Sequence, residues 1–314
     1  MPAGFDITAG VTRHGFSFAQ LKTDHFEVLY RNSDASADIV NDTGKMLEKA
    51  FDEFCTGFKD AGFKLNSVSH PLSWVVFDNS LQYRDFARVA DGMANTYLES
   101  YYSAGNNHVV LMQVATTLGR TGRFSSESAE RARMAGVSGM DKQPEGRDLG
   151  SGGMLDIRHA VHEAAHQLAF NTGLQTRGVY YPMWVSEGLA TNFEADSIRD
   201  IGLAGENAPR QRQLLKAYEA GRLMRLRDFA TLVQIPPDKA DSANDLYAQS
   251  WALFRFLYKT RRAELQNYMT TLARLAPEPR DENTMYREFT AAFGQMSQLE
   301  KAWLDHVRSL RDGR

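Results

Sequence analysis

The chain has 314 residues, 43% of them hydrophobic, and a formal net charge of −3 at pH 7. That length and apolar fraction suffice to bury a full core, and so small a charge gives no broad field to attract nucleic acid or an anionic membrane. Cys55 is the single cysteine, which excludes an internal disulfide and any cysteine-based metal cluster.

The predicted elements run as follows. Met1 to Gly15 lacks a basic segment followed by a long apolar one, and no stretch reaches membrane-spanning length. The expected address is cytoplasmic, or exported (periplasmic or secreted) if a leader was trimmed. Phe26 to Tyr30 predicts a strand, and Ala35 to Asp60 a helix whose stripe is Val40, Leu47, Phe51, Phe54 and Phe58. A strand at Leu72 to Phe77 and a short helix from Ser80 to Ala90 follow. Tyr97 to Tyr102, a turn through Gly105-Asn106-Asn107, and His108 to Met112 read as a hairpin. From about 113 to 152 the chain is polar and glycine-rich. A connection that long without periodicity predicts a flap.

Asp156 to Phe170 predicts a helix with Asp156 as its cap and Asn171-Thr172-Gly173 as its stop. Pro182 precedes a second helix, Met183 to Glu194. Further helices are expected at Pro209–Glu219, Leu226–Val233, Asn244–Tyr258, Glu264–Leu275, Thr284–Phe293 and Gln298–Leu310, the last with a docking stripe of Leu299, Trp303, Val307 and Leu310. The expected fold is α+β, with an N-terminal mixed sheet and helices (1–152, including the flap) and a C-terminal helical lobe (153–314), the two forming one unit.

The run His162-Glu163-Ala164-Ala165-His166, followed by Trp184-Val185-Ser186-Glu187-Gly188, carries the chemistry. Residues four apart on a helix lie about 40° apart and about 6 Å along the axis, so both imidazoles can face one ion. Glu163 then lies beside that ion, able to take a proton from its water, and a third ligand arrives from elsewhere. His159 shares the face of His162. Because four protein ligands would close the site to water, His159 is read as lining the cleft beside the ligands.

At these residues the chain resembles the gluzincin metallopeptidases, such as thermolysin and the zinc aminopeptidases, and more closely the bacterial peptidase MA-like families. The resemblance rests on His162-Glu163-Ala164-Ala165-His166-Gln167-Leu168-Ala169 and Trp184-Val185-Ser186-Glu187-Gly188-Leu189-Ala190-Thr191. It implies one Zn2+ held by His162, His166 and Glu187, with Glu163 as general base. Leu246-Tyr247-Ala248-Gln249-Ser250-Trp251 resembles the helix start that carries an oxyanion-binding tyrosine, which makes Tyr247 that donor. Thermolysin-like enzymes have an aspartate where this chain has Thr191. Glu194 is read as either a partner to the ligands or a solvated carboxylate.

The hairpin resembles the strand pair before the zinc helix of gluzincins. That implies Val109, Val110, Leu111 and Met112 as an edge strand for substrate backbone, against the alternative of a strand paired inside the sheet. The Gly-x-Met-Glu-Asn pattern of exopeptidases is absent, which favours an endopeptidase.

The expected function is a zinc-dependent peptidase that hydrolyses a peptide bond by Glu-assisted attack of metal-bound water. Its partner is a peptide or protein substrate, with no nucleic acid and no membrane span. One alternative is a catalytically inactive relative that binds a peptide or glycan and uses zinc structurally. Another is an interaction protein with a chance motif.

Overall fold

The computed structural model describes residues 18–30, 37–77, 79–93, 100–112, 114–115, 153–154, 156–203 and 205–311. The architecture is α+β: a mixed five-stranded sheet with helices in the N-terminal part and, from Ile157 onward, helices alone. Two compact units divide the chain. One comprises Met1–Asp52, Val68–Gln167 and Asp196–Arg199, the other Glu53–Ser67, Leu168–Ala195 and Asp200–Arg314.

In the first unit, β1 (Ala19–Lys22), β2 (Phe26–Tyr30), β3 (Leu72–Phe77), β4 (Ser100–Ser103) and β5 (His108–Met112) lie in the order β1-β2-β3-β5-β4. The inner pairs β2/β3 and β3/β5 are parallel and the outer pairs antiparallel. Parallel neighbours need crossovers, supplied by α1 (Ala37–Asp60) between β2 and β3 and by α2 (Ser80–Asp91) before the β4–β5 hairpin. Leu72, Trp74, Val75, Val76 and Phe77 are all buried, the near-continuous apolar run of a strand covered on both faces. Asn79 caps α2 by accepting from the Leu81 and Gln82 amides, and Gly92, at φ 68°, ends it. Tyr83, Phe86 and Ala87 then pack on Leu29, Val75, Phe77, Tyr101 and Val110. β1 was not anticipated from the sequence.

The hairpin turns with Asn107 at φ 56°, a left-handed conformation that asparagine tolerates. Asp91 anchors it, accepting hydrogen bonds from Tyr101 Oη (2.7 Å), Ser103 Oγ (2.6 Å), Asn106 Nδ2 (2.7 Å) and His108 Nε2 (2.8 Å). Burial works to raise the pKa of Asp91. His108, then Ser103 and Tyr101, overcome it and hold the carboxyl down to about 2. The same burial, with the Asp91 charge, drives the Tyr101 phenol far up, so it stays a neutral donor.

The expectation that Val109, Val110, Leu111 and Met112 form a sheet edge is overturned. β5 pairs with β3 on one side and β4 on the other, and Val109, Val110 and Leu111 are buried. So apolar a run suits an internal strand; its polar partner Ser-Tyr-Tyr-Ser takes the edge among the described residues. The flap expected at about 113–152 falls outside the described residues, apart from β6 (Val114–Ala115), which pairs antiparallel with β7 (Gly153–Met154).

The C-terminal helices are α3 (Ile157–Asn171), α4 (Met183–Thr191), α5 (Ala208–Glu219), α6 (Leu226–Phe229), α7 (Ala243–Thr260), α8 (Arg262–Leu272), α9 (Glu282–Phe293) and α10 (Met296–Arg311). α1 and α3 are unbroken helices with residues in both units. In the second unit, Trp184 is fully buried, stacks on Tyr268 at 5.7 Å and meets Phe289 and Phe293 edge-on. α6 stops at Phe229, short of the expected Val233. The Ala230 and Leu232 carbonyls are taken instead by Trp184 Nε1 and the Met183 amide. No described helix is long and apolar enough to cross a membrane.

Candidate metal centre

α3 begins as its sequence dictates. Asp156 Oδ1 accepts from the His159 amide at 3.2 Å, which satisfies one of the amides a helix start leaves free, and the Asp156 carbonyl takes the first bond of the helix from Ala160 N at 2.9 Å. Ala160, Val161, Ala164, Ala165, Leu168 and Ala169 are buried, so the helix sinks its apolar face. His162 and His166 project together one turn apart. Their Nε2 atoms are 3.2 Å apart and their rings are inclined at 75°. Two nitrogens on one tetrahedral zinc, each about 2.05 Å from it, would stand about 3.3 Å apart.

Glu187 completes the group. His162, His166 and Glu187 each offer one ligand atom, and the three atoms lie within 4.8 Å of one another. Among the described residues this is the group of histidine and carboxylate side chains with that convergence. Two imidazoles and a carboxylate can coordinate a divalent cation and leave a position open for a fourth ligand.

Glu163 lies between the two histidines in sequence, and its carboxylate is buried, 7% exposed. Ser100 Oγ, on β4, donates to Glu163 Oε1 at 2.9 Å. One turn further along α3, Gln167 is fully buried and ties the helix to the sheet. Its Oε1 accepts from Trp74 Nε1 at 2.8 Å, and its Nε2 donates to the Ser73 and Asn107 carbonyls at 3.2 Å each. Neither Ser100 nor Gln167 was anticipated as part of the site. A serine beside two tyrosines carries no sequence signal, and Gln167 stood unexamined inside the quoted motif.

α4 is held differently. A Cβ on Gly188 would come within 2.7 Å of the Ser250 carbonyl oxygen and 2.9 Å of Phe254 Cβ. Glycine therefore permits α4 to lie against α7. Asn192 finishes α4, its Nδ2 donating to the Gly188 carbonyl (2.7 Å) and across to the Trp251 carbonyl (2.9 Å). Thr191, where thermolysin-like enzymes have aspartate, turns its hydroxyl back to the Glu187 and Gly188 carbonyls (2.6 and 3.1 Å).

Because α4 ends at Thr191 and not at the expected Glu194, Glu194 lies beyond the helix that carries Glu187. It is not a solvated carboxylate. Its side chain is 3% exposed and forms a two-pronged pair with Arg210, Nη2 to Oε1 at 2.7 Å and Nε to Oε2 at 3.0 Å, with Asn207 Nδ2 also on Oε2. The Arg210 guanidinium carbon sits 5.4 Å from the ring centroid of Tyr247. Tyr247 itself is half-buried in the first turns of α7. A cation over the ring face stabilises that ring's placement. His159 bonds through Nδ1 to Asp156 Oδ2 at 2.7 Å.

The family described as "Protein of unknown function (DUF1570)" matches residues 156–278. That segment, short of half the chain, runs from the cap of α3 into the loop after α8 and contains His162, Glu163, His166, Glu187, Glu194 and Tyr247. No curated protein matches the chain. Over residues 156–278 the chain is similar to that family, and there the matched segment and the candidate centre coincide.

Proposed function

We propose that the chain is a zinc-dependent peptidase, with His162, His166 and Glu187 as metal ligands and Glu163 as general base. The observation that carries this reading is the convergence of three ligand atoms within 4.8 Å, with a buried carboxylate next in sequence to one of them. Two imidazoles and a carboxylate are a donor set that catalytic zinc takes, and the resemblance of the two motifs to the gluzincins supports zinc as the ion. Bound there, zinc supplies Lewis acidity that polarises a carbonyl and brings the pKa of water toward neutrality.

The remaining work falls to side chains. Glu163 removes a proton from the attacking water as its oxygen bonds to the carbonyl carbon, then delivers that proton to the amine nitrogen as the carbon–nitrogen bond breaks. Tyr247, in the role its resemblance implies, donates to the developing oxyanion. A peptide as substrate is favoured by β4, whose outer edge has no partner strand among the described residues and whose Ser100 touches Glu163. An extended backbone added to that edge runs past the base.

Metal analysis and peptide hydrolysis test this together. Purified protein should carry about one zinc per chain. His162→Ala and Glu187→Ala should lose it, and Glu163→Gln should keep it while losing at least ~10³-fold in turnover. Absence of divalent metal, with no rise in thermal stability on adding zinc, rejects the centre. A zinc-loaded protein that cleaves nothing in a broad peptide library favours the inactive, peptide- or glycan-binding alternative.

A further inference from the structure

We infer that Ser100 is a positioning residue for Glu163, fixing which carboxylate oxygen acts as the base; this rests on the peptidase reading above. Ser100 is 2% exposed and Glu163 7%, and among the described residues Ser100 Oγ is the one side-chain donor to that carboxylate, at 2.9 Å on Oε1. The carboxylate's other oxygen takes no side-chain donor among the described residues and keeps the acceptor capacity a base needs.

Both ends of the bond are on rigid elements. Ser100 is held in register opposite Leu111 in the β4–β5 ladder, and Glu163 lies one turn before Gln167, which is pinned to β3 and to the hairpin turn. A hydroxyl on a strand, bonded to one carboxylate oxygen, removes the carboxylate's freedom to rotate.

The test compares wild type, Ser100→Ala, Ser100→Thr, Glu163→Gln and the Ser100→Ala/Glu163→Gln pair, all zinc-loaded, on a quenched fluorescent peptide that wild type cleaves. Ser100→Ala should lower kcat about 10- to 100-fold with KM within about twofold and zinc content unchanged. Ser100→Thr, which restores the hydroxyl, should recover most of that. In the Glu163→Gln background Ser100→Ala should cost nothing more, because the two act as one unit.

An independent readout is the infrared carboxylate stretch assigned by the difference between wild type and Glu163→Gln. It should shift in Ser100→Ala and return in Ser100→Thr, with or without a cleavable peptide. Wild-type kcat, or an unmoved carboxylate band, in Ser100→Ala overturns the inference and leaves the peptidase reading standing. Wild-type turnover in Glu163→Gln overturns the peptidase reading instead.

Discussion

In α3 the residues of the candidate centre alternate with residues that tie the helix down by polar side chains. Glu163 is bonded by Ser100, and Gln167, next to His166, is bonded to Trp74, Ser73 and Asn107. In α4 the candidate ligand Glu187 is followed by a residue with no side chain at all, and what places it is contact: Gly188 lets the helix lie on the Ser250 carbonyl and Phe254. Hydrogen bonds from a sheet fix a helix in rotation and translation through a few directional contacts. Close backbone packing fixes it through shape, since interiors deform little. Polar anchoring suits a helix with two imidazoles and a carboxylate to orient, and packing suits one that must deliver a single carboxylate.

The largest expected effect lies at the end of α4. Glu194→Ala leaves the Arg210 guanidinium, only 10% exposed, without its carboxylate, and breaking such a buried pair costs about 3–5 kcal/mol. It also frees the cation that sits over Tyr247, so urea denaturation and kcat should fall together. A loss below about 1 kcal/mol would return Glu194 to the rank of a surface residue. Next comes Gly188→Val, which forces side-chain atoms into the Ser250 carbonyl and should cost about 3 kcal/mol. Unchanged stability there would show that α4 is not placed by packing.

These contrasts explain what was legible in the sequence. The pentapeptide of α3 and the Trp-Val-Ser-Glu-Gly of α4 could be read because helical spacing is local: four residues dictate where two side chains point. Strands β2 and β3 were read to the residue, since an apolar run bounded by polar residues is also a local signal. Ser100, Trp74 and Asn107 reach α3 from 63, 93 and 60 residues away, and no local pattern encodes such pairings. The edge position of β4 was missed for the same reason, because strand order is a long-range property of the sheet. Glu194 was misread because α4 stops at Thr191, where Asn192 turns back on Gly188 and across to Trp251.

On the α3 side, Gln167→Ala should cost about 2–3 kcal/mol, since it strands the buried Trp74 Nε1 and withdraws the donor from two carbonyls. Zinc affinity should weaken with it, because the histidines lose their reference to the sheet. If chemical denaturation moves by less than about 0.5 kcal/mol, the polar tether is not what holds the helix.

The smallest effect is a dependence on acid, and it probes the same tether one step back. The Asn107 carbonyl that receives Gln167 lies in the hairpin turn that Asp91 anchors through Tyr101, Ser103, Asn106 and His108. The pKa of Asp91, about 2 in the folded protein, lies below its unfolded value of about 3.9. The unfolded state therefore binds the proton more readily. The stability Asp91 contributes is complete above about pH 4, declines as pH falls through 2, and amounts to about 2 kcal/mol. Asp91→Asn should be less stable than wild type near neutrality by about that amount, with the difference shrinking between pH 4 and 2. A constant difference across that window, measured by urea denaturation at each pH, would show that the charge on Asp91 does not anchor the hairpin. The polar support of α3 would then begin at Asn107 and reach no further.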